Sequence, residues 1–355
     1  MDSELVKSIK DGMSGKNRGI PGGLPRFDRE TYNIQPAKMI SVVGSSKAGK
    51  TAFALWRYIF IPWINGERNI KWIYYSLEVD IEQIKARLIA MFVYKLHGIK
   101  INPNKVYSLG EERLSQYEAD LIISIEKNHL IPLFNRIEFI ADKADANPTA
   151  IYKHAVAYAN KNGETLYQKF NTMDDRGQAV ERERLIGYRN DKPEEKVFII
   201  IDTLGLMKKE KGMNKKDNMD KWLEDYAVTL RNIYKYTIIN LHHLNRGMSA
   251  VDRLKFADQD LQPQLDDIKD TSGIGECSDM VIAVFNPNVY KHLTEHQDYN
   301  LLEHNGKYRS IHVLASRYTA SPINGALTFD YETGLWNELP PVIKKNKELE
   351  FKLVK

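Results

Sequence analysis

The residues best suited to chemistry lie in one short run that fits the pattern G-x-x-x-x-G-K-[ST]. The run consists of Gly44, Ser45, Ser46, Lys47, Ala48, Gly49, Lys50 and Thr51. Glycines let the backbone curl so that several N–H groups face an anion, and a following helix adds its favourable dipole. Lys50 would reach the β- and γ-phosphates of a nucleotide, and the Thr51 hydroxyl would bind Mg²⁺. The run therefore predicts a phosphate-binding loop that takes ATP, with Mg²⁺ as cofactor.

Two carboxylates could complete this chemistry, because each follows an apolar run. Asp202 follows Val197–Ile201, a strand expected to neighbour the phosphate-binding strand, and is the predicted Mg²⁺ ligand together with Thr51. Glu78 follows Trp72–Leu77, expected nearby, and is the predicted group that orients and activates water. Simpler interpretations stay open: buried strands commonly end at an acid, and acids are favoured at helix starts by the dipole.

Apolar runs and helical patterns alternate along the chain in an order that could position these residues. The predicted strands are Met39–Val43, Trp72–Leu77, Ile137–Ile140, Val197–Ile201, Thr237–Leu241, Met280–Phe285, Ile311–Ala315 and Ala326–Phe329. The predicted helices are Ala52–Ile61, Ile81–Leu96, Arg113–Ile125, Pro148–Ala159 and Met219–Tyr234. Repeated strand–helix units predict an α/β fold with a mostly parallel twisted sheet flanked by helices. The last two strands predict a C-terminal antiparallel hairpin that extends it as a mixed sheet.

Composition and charge limit the class of protein. A chain of 355 residues with 43% hydrophobic content can form one large α/β core. The single cysteine, Cys277, excludes an internal disulfide scaffold and makes a cysteine-based zinc site implausible. The first residues are polar, and no stretch approaches about 20 apolar residues, so we expect a cytoplasmic protein with no membrane partner. A net charge of +4 is compatible with nucleic-acid binding but does not indicate it alone.

The segment 160–196 interrupts the alternation of strands and helices. It is polar and has no clear helical or strand period. We interpret it as an inserted surface arm or hairpin, because an excursion of this length within a compact domain is often functional. A variable loop is the alternative interpretation.

Six segments, in the correct order, resemble the RecA-like motor domain of DnaB-type replicative DNA helicases. They are Gly19–Asp28, the phosphate-binding loop, Tyr75–Glu78 (family "FSLEM"), Ile201–Met207 ("IDYLQLM"), Asn240–Arg246 ("ALSQLNR") and Asp267–Val281 ("DLRESGSI…ADLI"). The resemblance covers most of the span from Gly19 to Asn337. It implies a RecA-like P-loop NTPase domain over 19–338, with an arm or linker at 1–18 and a tail at 339–355.

The resemblance also implies roles for single residues. Glu78 matches the family's catalytic base, and His243 falls where the family has a γ-phosphate sensor. Arg317 matches the arginine finger that one subunit offers to the nucleotide of its neighbour, where it stabilises developing phosphate charge. The lysine that the family carries two residues before this arginine is replaced by Ala315. Without the resemblance, His243 and Arg317 would be ordinary residues at strand ends.

Two loops are predicted to contact DNA. The first follows the Asp202 strand and carries five lysines, Lys208, Lys209, Lys211, Lys215 and Lys216. The second spans roughly Arg246 to Gly275, and the resemblance implies phosphodiester contacts there from Lys269, Asp270 and Ser272. Such contacts would be sequence-independent and sensitive to salt. The alternative for the first loop is an ordinary solvated charge run.

Taken together, the resemblance implies an ATP-dependent helicase that forms an oligomeric, hexameric ring and moves 5′ to 3′ on single-stranded DNA during replication. Its expected partners are single-stranded DNA, other copies of itself and a separate primase or loader. A motor preceded by so few residues is typical of phage or plasmid versions, which would act in the host cytoplasm. Two alternatives remain: a RecA-like recombinase or filament-forming DNA-binding ATPase, and a loader or packaging ATPase that does not unwind DNA.

Overall fold

A computed structural model describes residues 3–108, 111–142, 146–245, 261–290 and 293–342. Part of the second predicted DNA loop, 246–260, and most of the predicted tail, 343–355, lie outside these residues. Within the described ranges, no helix is long and apolar enough to span a bilayer.

The core of the fold is a nine-stranded mixed sheet with the order β13-β12-β11-β8-β1-β7-β6-β2-β3. Its strands are β1 (Met39–Gly44), β2 (Ile70–Ser76), β3 (Ile137–Ile140), β6 (Lys196–Asp202), β7 (Thr237–His243), β8 (Met280–Phe285), β11 (Tyr308–Ser316), β12 (Ile323–Phe329) and β13 (Trp336–Glu338). The six strands from β8 to β3 run parallel, and β11, β12 and β13 are antiparallel. Buried apolar residues fill β1 and β8 along their whole length, as expected for strands covered on both faces. The predicted α/β sheet with a C-terminal antiparallel hairpin is confirmed.

Helices cover both faces of this sheet. Those described are α1 (Glu4–Met13), α2 (Pro25–Glu30), α3 (Lys50–Leu55), α4 (Ile61–Ile64), α5 (Ile81–His97), α6 (Pro103–Val106), α7 (Gln116–Ile125), α8 (Ile131–Phe134), α9 (Pro148–Lys161), α10 (Lys215–Asp220), α11 (Val228–Asn232) and α12 (Gly273–Cys277). Two separate hydrophobic clusters result, one joining the sheet to α3–α5 and the other joining it to α9–α11. The predicted helix Ala52–Ile61 is longer in the structure, because a π-helical segment, Trp56–Phe60, joins α3 to α4.

The strand order corrects one expectation from the sequence. β7 lies between β1 and β6, so Asp202 does not end a strand next to the phosphate-binding strand. β7 and β6 both lie between β1 and the Glu78 strand, β2, whereas β2 and β6 are neighbours. Strand order follows from how the connecting helices cross the sheet, and local sequence patterns do not specify it.

The inserted segment forms a hairpin separate from the main sheet. Its strands are β4 (Gly163–Met173) and β5 (Ala179–Asn190), which pair antiparallel with a bulge at Leu166/Tyr167. Two further short strands, β9 (Glu295–His296) and β10 (Tyr299–Asn300), pair with each other.

Candidate nucleotide site

The phosphate-binding loop lies at the edge of the sheet where the parallel strands end. β1 ends at Gly44, whose absent Cβ would lie 2.6 Å from the carbonyl oxygen of Val284. Gly49 has a φ of +105° and packs against the indole of Trp336. Both positions therefore require glycine, one because of space and the other because of backbone conformation as well. The helix that follows begins at Lys50.

Lys50 lies almost completely buried at the centre of this loop. Its Nζ donates to the carbonyl oxygens of Gly44 (3.0 Å) and Ser45 (3.1 Å). Burial lowers the pKa of Lys50 to about 8, although the carboxylates of Glu78 and Asp202 oppose the shift. An ammonium group that is bound only to neutral carbonyls in a poorly solvated position would be strongly attracted by the charge of a phosphate.

Asp202 is fully buried at the end of β6. The hydroxyl of Tyr74 donates to its Oδ2 at 2.9 Å, whereas Oδ1 has no hydrogen-bond partner within the described chain. Burial raises the pKa of Asp202, while contacts with Thr51 and Tyr74 oppose the rise. A buried carboxylate oxygen without a partner is costly and fits a role as a cation ligand.

The site therefore fits Mg²⁺ held by Asp202 and Thr51 in company with a nucleotide. Among the described residues, no group of three His, Cys, Asp or Glu side chains could hold a metal ion. This agrees with the chemistry of Mg²⁺, which is usually bound through one or two carboxylates together with substrate phosphates and water.

His243 joins Lys50 to Glu78. The Nδ1 of His243 lies 3.2 Å from Lys50 Nζ, and its Nε2 lies 3.4 Å from Glu78 Oε2. Because an ammonium group can only donate, a neutral imidazole that accepts at Nδ1 and carries its proton on Nε2 satisfies both neighbours. The hydrogen bond with His243 lowers the pKa of Glu78, with further attraction from Lys50 and Arg87, although burial opposes it. Glu78 is thus held as a carboxylate beside the loop, ready to orient water.

The ends of β2 and β6 are tied together beneath these side chains. The backbone N–H groups of Leu77 and Glu78 donate to the carbonyl oxygen of Asp202 at 2.7 and 3.1 Å. The two carboxylates therefore have a fixed relative position, and the structure brings Lys50, Thr51, Asp202, Glu78 and His243 to one place.

A cavity of about 690 Å³ opens from the phosphate-binding loop. This volume is within the usual range for sites that enclose small ligands. Beyond the loop it is lined by Arg309, Phe329 and Tyr331, so an apolar and aromatic wall faces the end remote from Glu78. The Nε of Arg309 donates to the carbonyl oxygen of Ala48 at 3.3 Å, and burial lowers the pKa of Arg309 to about 10.

Three residues of this site were not anticipated from the sequence. Tyr74 resembles any aromatic residue of a buried strand, and its local pattern carries no signal for a hydroxyl bound to Asp202. Arg309 was detectable in principle, since it begins a strand that runs antiparallel and must start at the edge where the others end. Arg87 lines the cavity from α5 and could have been found as a cation on the helix that follows Glu78.

Arg317 lies at the opposite edge of the sheet. Ser316, at the end of β11, pairs with Met280, at the start of β8. The Arg317 side chain is exposed, and its guanidinium donates to the carbonyl oxygen of Glu276. Arg317 is therefore not brought to the nucleotide site of its own chain, and its role across a subunit interface stays a prediction.

The first predicted DNA loop is anchored by its one acidic residue. Glu210 binds Lys221 at 2.5 Å and accepts the backbone N–H of Thr149. Lys215 pairs with Asp270 of the second loop at 3.2 Å. The other four predicted contacts are exposed, and only the last of them has an ion pair, to Asp220 at 3.4 Å; they are Lys208, Lys209, Lys211 and Lys216.

The second predicted DNA loop is bonded directly to the end of β7. The backbone N–H of Lys269 donates to the carbonyl oxygen of His243 at 3.2 Å, and His242 Nε2 binds the carbonyl oxygen of Lys269 at 2.6 Å. Burial lowers the pKa of His242 to about 4, so it is neutral and can donate. Asp270 follows with a φ of +63°, and Ser272 is exposed just before α12. One strand end therefore contacts both Lys50 and this loop.

Comparisons with known proteins establish the fold. No protein-family model matches the sequence, and no curated protein matches it. Among solved structures, the chain is similar to an isolated ATPase domain of a DnaB-like replicative helicase, with 17% identity and a TM-score of 0.67, over 96% of this chain and 100% of that one. It is also similar to a second DnaB-like replicative helicase, described with its interactions with primase, with 17% identity and a TM-score of 0.65, over 96% of this chain and 66% of that one. The fold is therefore RecA-like and is shared with ATPase domains of DnaB-like replicative helicases.

Proposed function

We propose that this protein is an ATP-dependent DNA helicase of the DnaB type, a ring that moves on single-stranded DNA during replication and hydrolyses ATP at subunit interfaces. The observation that carries this proposal is the continuity from Lys50 and Glu78, through His243, to the backbone of Lys269. A shift of the β7 end when phosphate binds or leaves would move the second loop, because the two are hydrogen-bonded.

The chemistry at the loop assigns one task to each side chain. Lys50 would exchange its carbonyl partners for phosphate oxygens, and Glu78 would hold the attacking water in line with the γ-phosphate. Asp202 and Thr51 would hold Mg²⁺, which when bound neutralises charge developing on the phosphates. His243 would sense the γ-phosphate, since the imidazole lies between the ammonium group that binds it and the carboxylate that orients water.

Two features support action as an oligomer. Arg317 lies at the sheet edge opposite the loop of its own chain, so it could serve only the nucleotide of another copy. The short N-terminal helix α1 carries exposed apolar side chains, Leu5, Ile9 and Met13, which would be covered by a neighbouring subunit. We extend the proposal to a hexamer and to 5′-to-3′ movement, and to a separate primase or loader as protein partner.

The DNA contacts proposed here are electrostatic. Lysines of the first loop are exposed at the same edge of the sheet as the nucleotide site, since they follow β6. The ion pair between Lys215 and Asp270 joins the two loops. Contacts of this kind with phosphates bind without regard to base sequence and weaken as salt rises.

A RecA-like recombinase, a filament-forming ATPase and a loader or packaging ATPase share this fold and site. Strand displacement on a forked substrate, combined with electron microscopy in the presence of nucleotide, separates them. The proposal expects closed rings and ATP-dependent unwinding from a 5′ tail. Long filaments on DNA, or ATP hydrolysis without strand displacement, would contradict it in favour of one of the alternatives.

A further inference from the structure

The hairpin of β4 and β5 is a rigid arm that no other part of the described chain covers. At its base, the hydroxyl of Tyr188 donates to the carbonyl oxygen of Ala159 at 2.8 Å, and its ring packs on that of Tyr234. At its tip, the Asp174 carboxylate accepts two backbone N–H groups of the turn. From Gly163 to Met173 the strand would extend roughly 33 Å at the usual rise per residue.

The two faces of this ribbon differ in charge. Strand pairing and side-chain alternation put Lys169, Glu181 and Glu183 on one face. There Lys169 pairs with Glu181 at 3.0 Å, so its charge is compensated. The other face carries Gln168, Phe170, Thr172, Val180, Arg182 and Arg184, with no acidic residue among them.

The second face has the composition of a surface that binds single-stranded nucleic acid. Phe170 is 43% exposed and lies directly across from Arg182. Arg184, on the same strand two residues further, hydrogen-bonds only the neutral amide of Gln168 at 3.3 Å. Neither guanidinium has an ion pair within the described chain, so both charges remain available to phosphates. An exposed aromatic ring between cations provides base stacking and backbone contacts together.

We propose that this face of the hairpin, formed by Phe170, Arg182 and Arg184, is a second binding surface for single-stranded DNA, outside the two loops assigned above. The inference rests on the proposed function in one respect, namely that single-stranded DNA is the ligand. The arm leaves from the start of β6, at the sheet edge opposite the nucleotide site. It would therefore contact a strand at a distance from the loops that follow β6 and β7.

Binding of a fluorescein-labelled oligothymidylate to the full-length protein tests this surface, measured by anisotropy over a range of salt with Mg²⁺ and a non-hydrolysable ATP analogue. R182Q/R184Q should reduce the slope of log Kd against log salt by roughly 1.4, because each lost phosphate contact contributes about 0.7. F170A should weaken binding roughly five-fold or more. The matched control is K169E, which changes net charge by the same amount on the other face and should bind within about two-fold of wild type.

The outcomes separate this inference from the proposed function. If the wild-type protein binds the oligonucleotide while R182Q/R184Q and F170A bind as K169E does, the arm proposal is overturned alone. If the wild-type protein does not bind, the proposed function fails with it. Light scattering adds a further arm: if R182Q/R184Q loses assembly, the face is an interface between copies and the proposal is overturned. DNA-free ATP hydrolysis should be unchanged in all these variants, since the exposed substitutions lie far from Lys50.

Discussion

Tyr74→Phe isolates the hydroxyl that orients the candidate Mg²⁺ ligand. Tyr74 is fully buried, its hydroxyl donates to Asp202 Oδ2 at 2.9 Å, and its ring packs on Phe139 with 5.8 Å between centroids. Phenylalanine keeps the ring and its packing, and removes one hydrogen bond to a carboxylate. A hydrogen bond to a charged group contributes about 1.5–3 kcal/mol, and removing a group that orients a metal ligand usually costs about 10- to 100-fold in affinity. We therefore expect the half-saturating Mg²⁺ concentration for ATP hydrolysis to rise by about 10- to 100-fold.

The assay is a Mg²⁺ titration of ATP hydrolysis at fixed free ATP. Tyr75→Phe is the matched control, because the next residue is also buried but its hydroxyl contacts His154 Nδ1 at 2.8 Å on the other face of the sheet. It removes the same atom from the same strand and should leave the Mg²⁺ dependence unchanged. Thermal unfolding of both variants, followed by circular dichroism, verifies that they are folded. A folded Tyr74→Phe protein with the Mg²⁺ dependence of wild type would refute the role given to Tyr74 and weaken the assignment of Asp202.

Three further perturbations test other parts of the site. His243→Ala should move the acid limb of the kcat–pH profile to higher pH, because contact with His243 lowers the pKa of Glu78 and its loss lets that pKa rise; an unmoved limb would exclude Glu78 as the titrating group. Arg317→Ala should retain ATP binding, seen by equilibrium dialysis, while kcat falls by about 10³-fold, and normal turnover would rule out action across an interface. Asp28→Ala should lower the free energy of unfolding by about 3–5 kcal/mol, since it leaves the buried Arg57 guanidinium, now 2.7 Å from the carboxylate, without its partner; denaturant titration measures the loss, and a change below about 1 kcal/mol would show that the pair is dispensable.

The parts of the site that were predictable from sequence follow from one property of parallel sheets. Buried parallel strands announce themselves as apolar runs, and their carboxyl ends meet at one edge. Residues that follow such runs, Lys50, Glu78, Asp202 and His243, could therefore be predicted to meet without knowledge of the strand order. That order could not be predicted, which is why the position of β7 between β1 and β6 was missed.

Other features left no local signal in the sequence. The inserted hairpin has little apolar alternation because both of its faces are largely exposed, and its bulge at Leu166/Tyr167 shifts the period by one residue. The hydroxyl of Tyr74 is one atom in a run of buried residues, and only the three-dimensional distance to Asp202 reveals its role. The π-helical segment Trp56–Phe60 likewise reads as ordinary helix, since its apolar residues suit either geometry.

The most direct test of the central claim is ATP hydrolysis by the purified protein, with and without single-stranded DNA, compared with Lys50→Ala. A motor whose nucleotide site is bonded to its DNA loops should hydrolyse ATP, accelerate when single-stranded DNA is added, and lose both activities in the variant. Hydrolysis that is absent from the wild-type protein, or that persists in Lys50→Ala, would contradict the assignment of the site, and hydrolysis indifferent to DNA would contradict the coupling through His243 and Lys269.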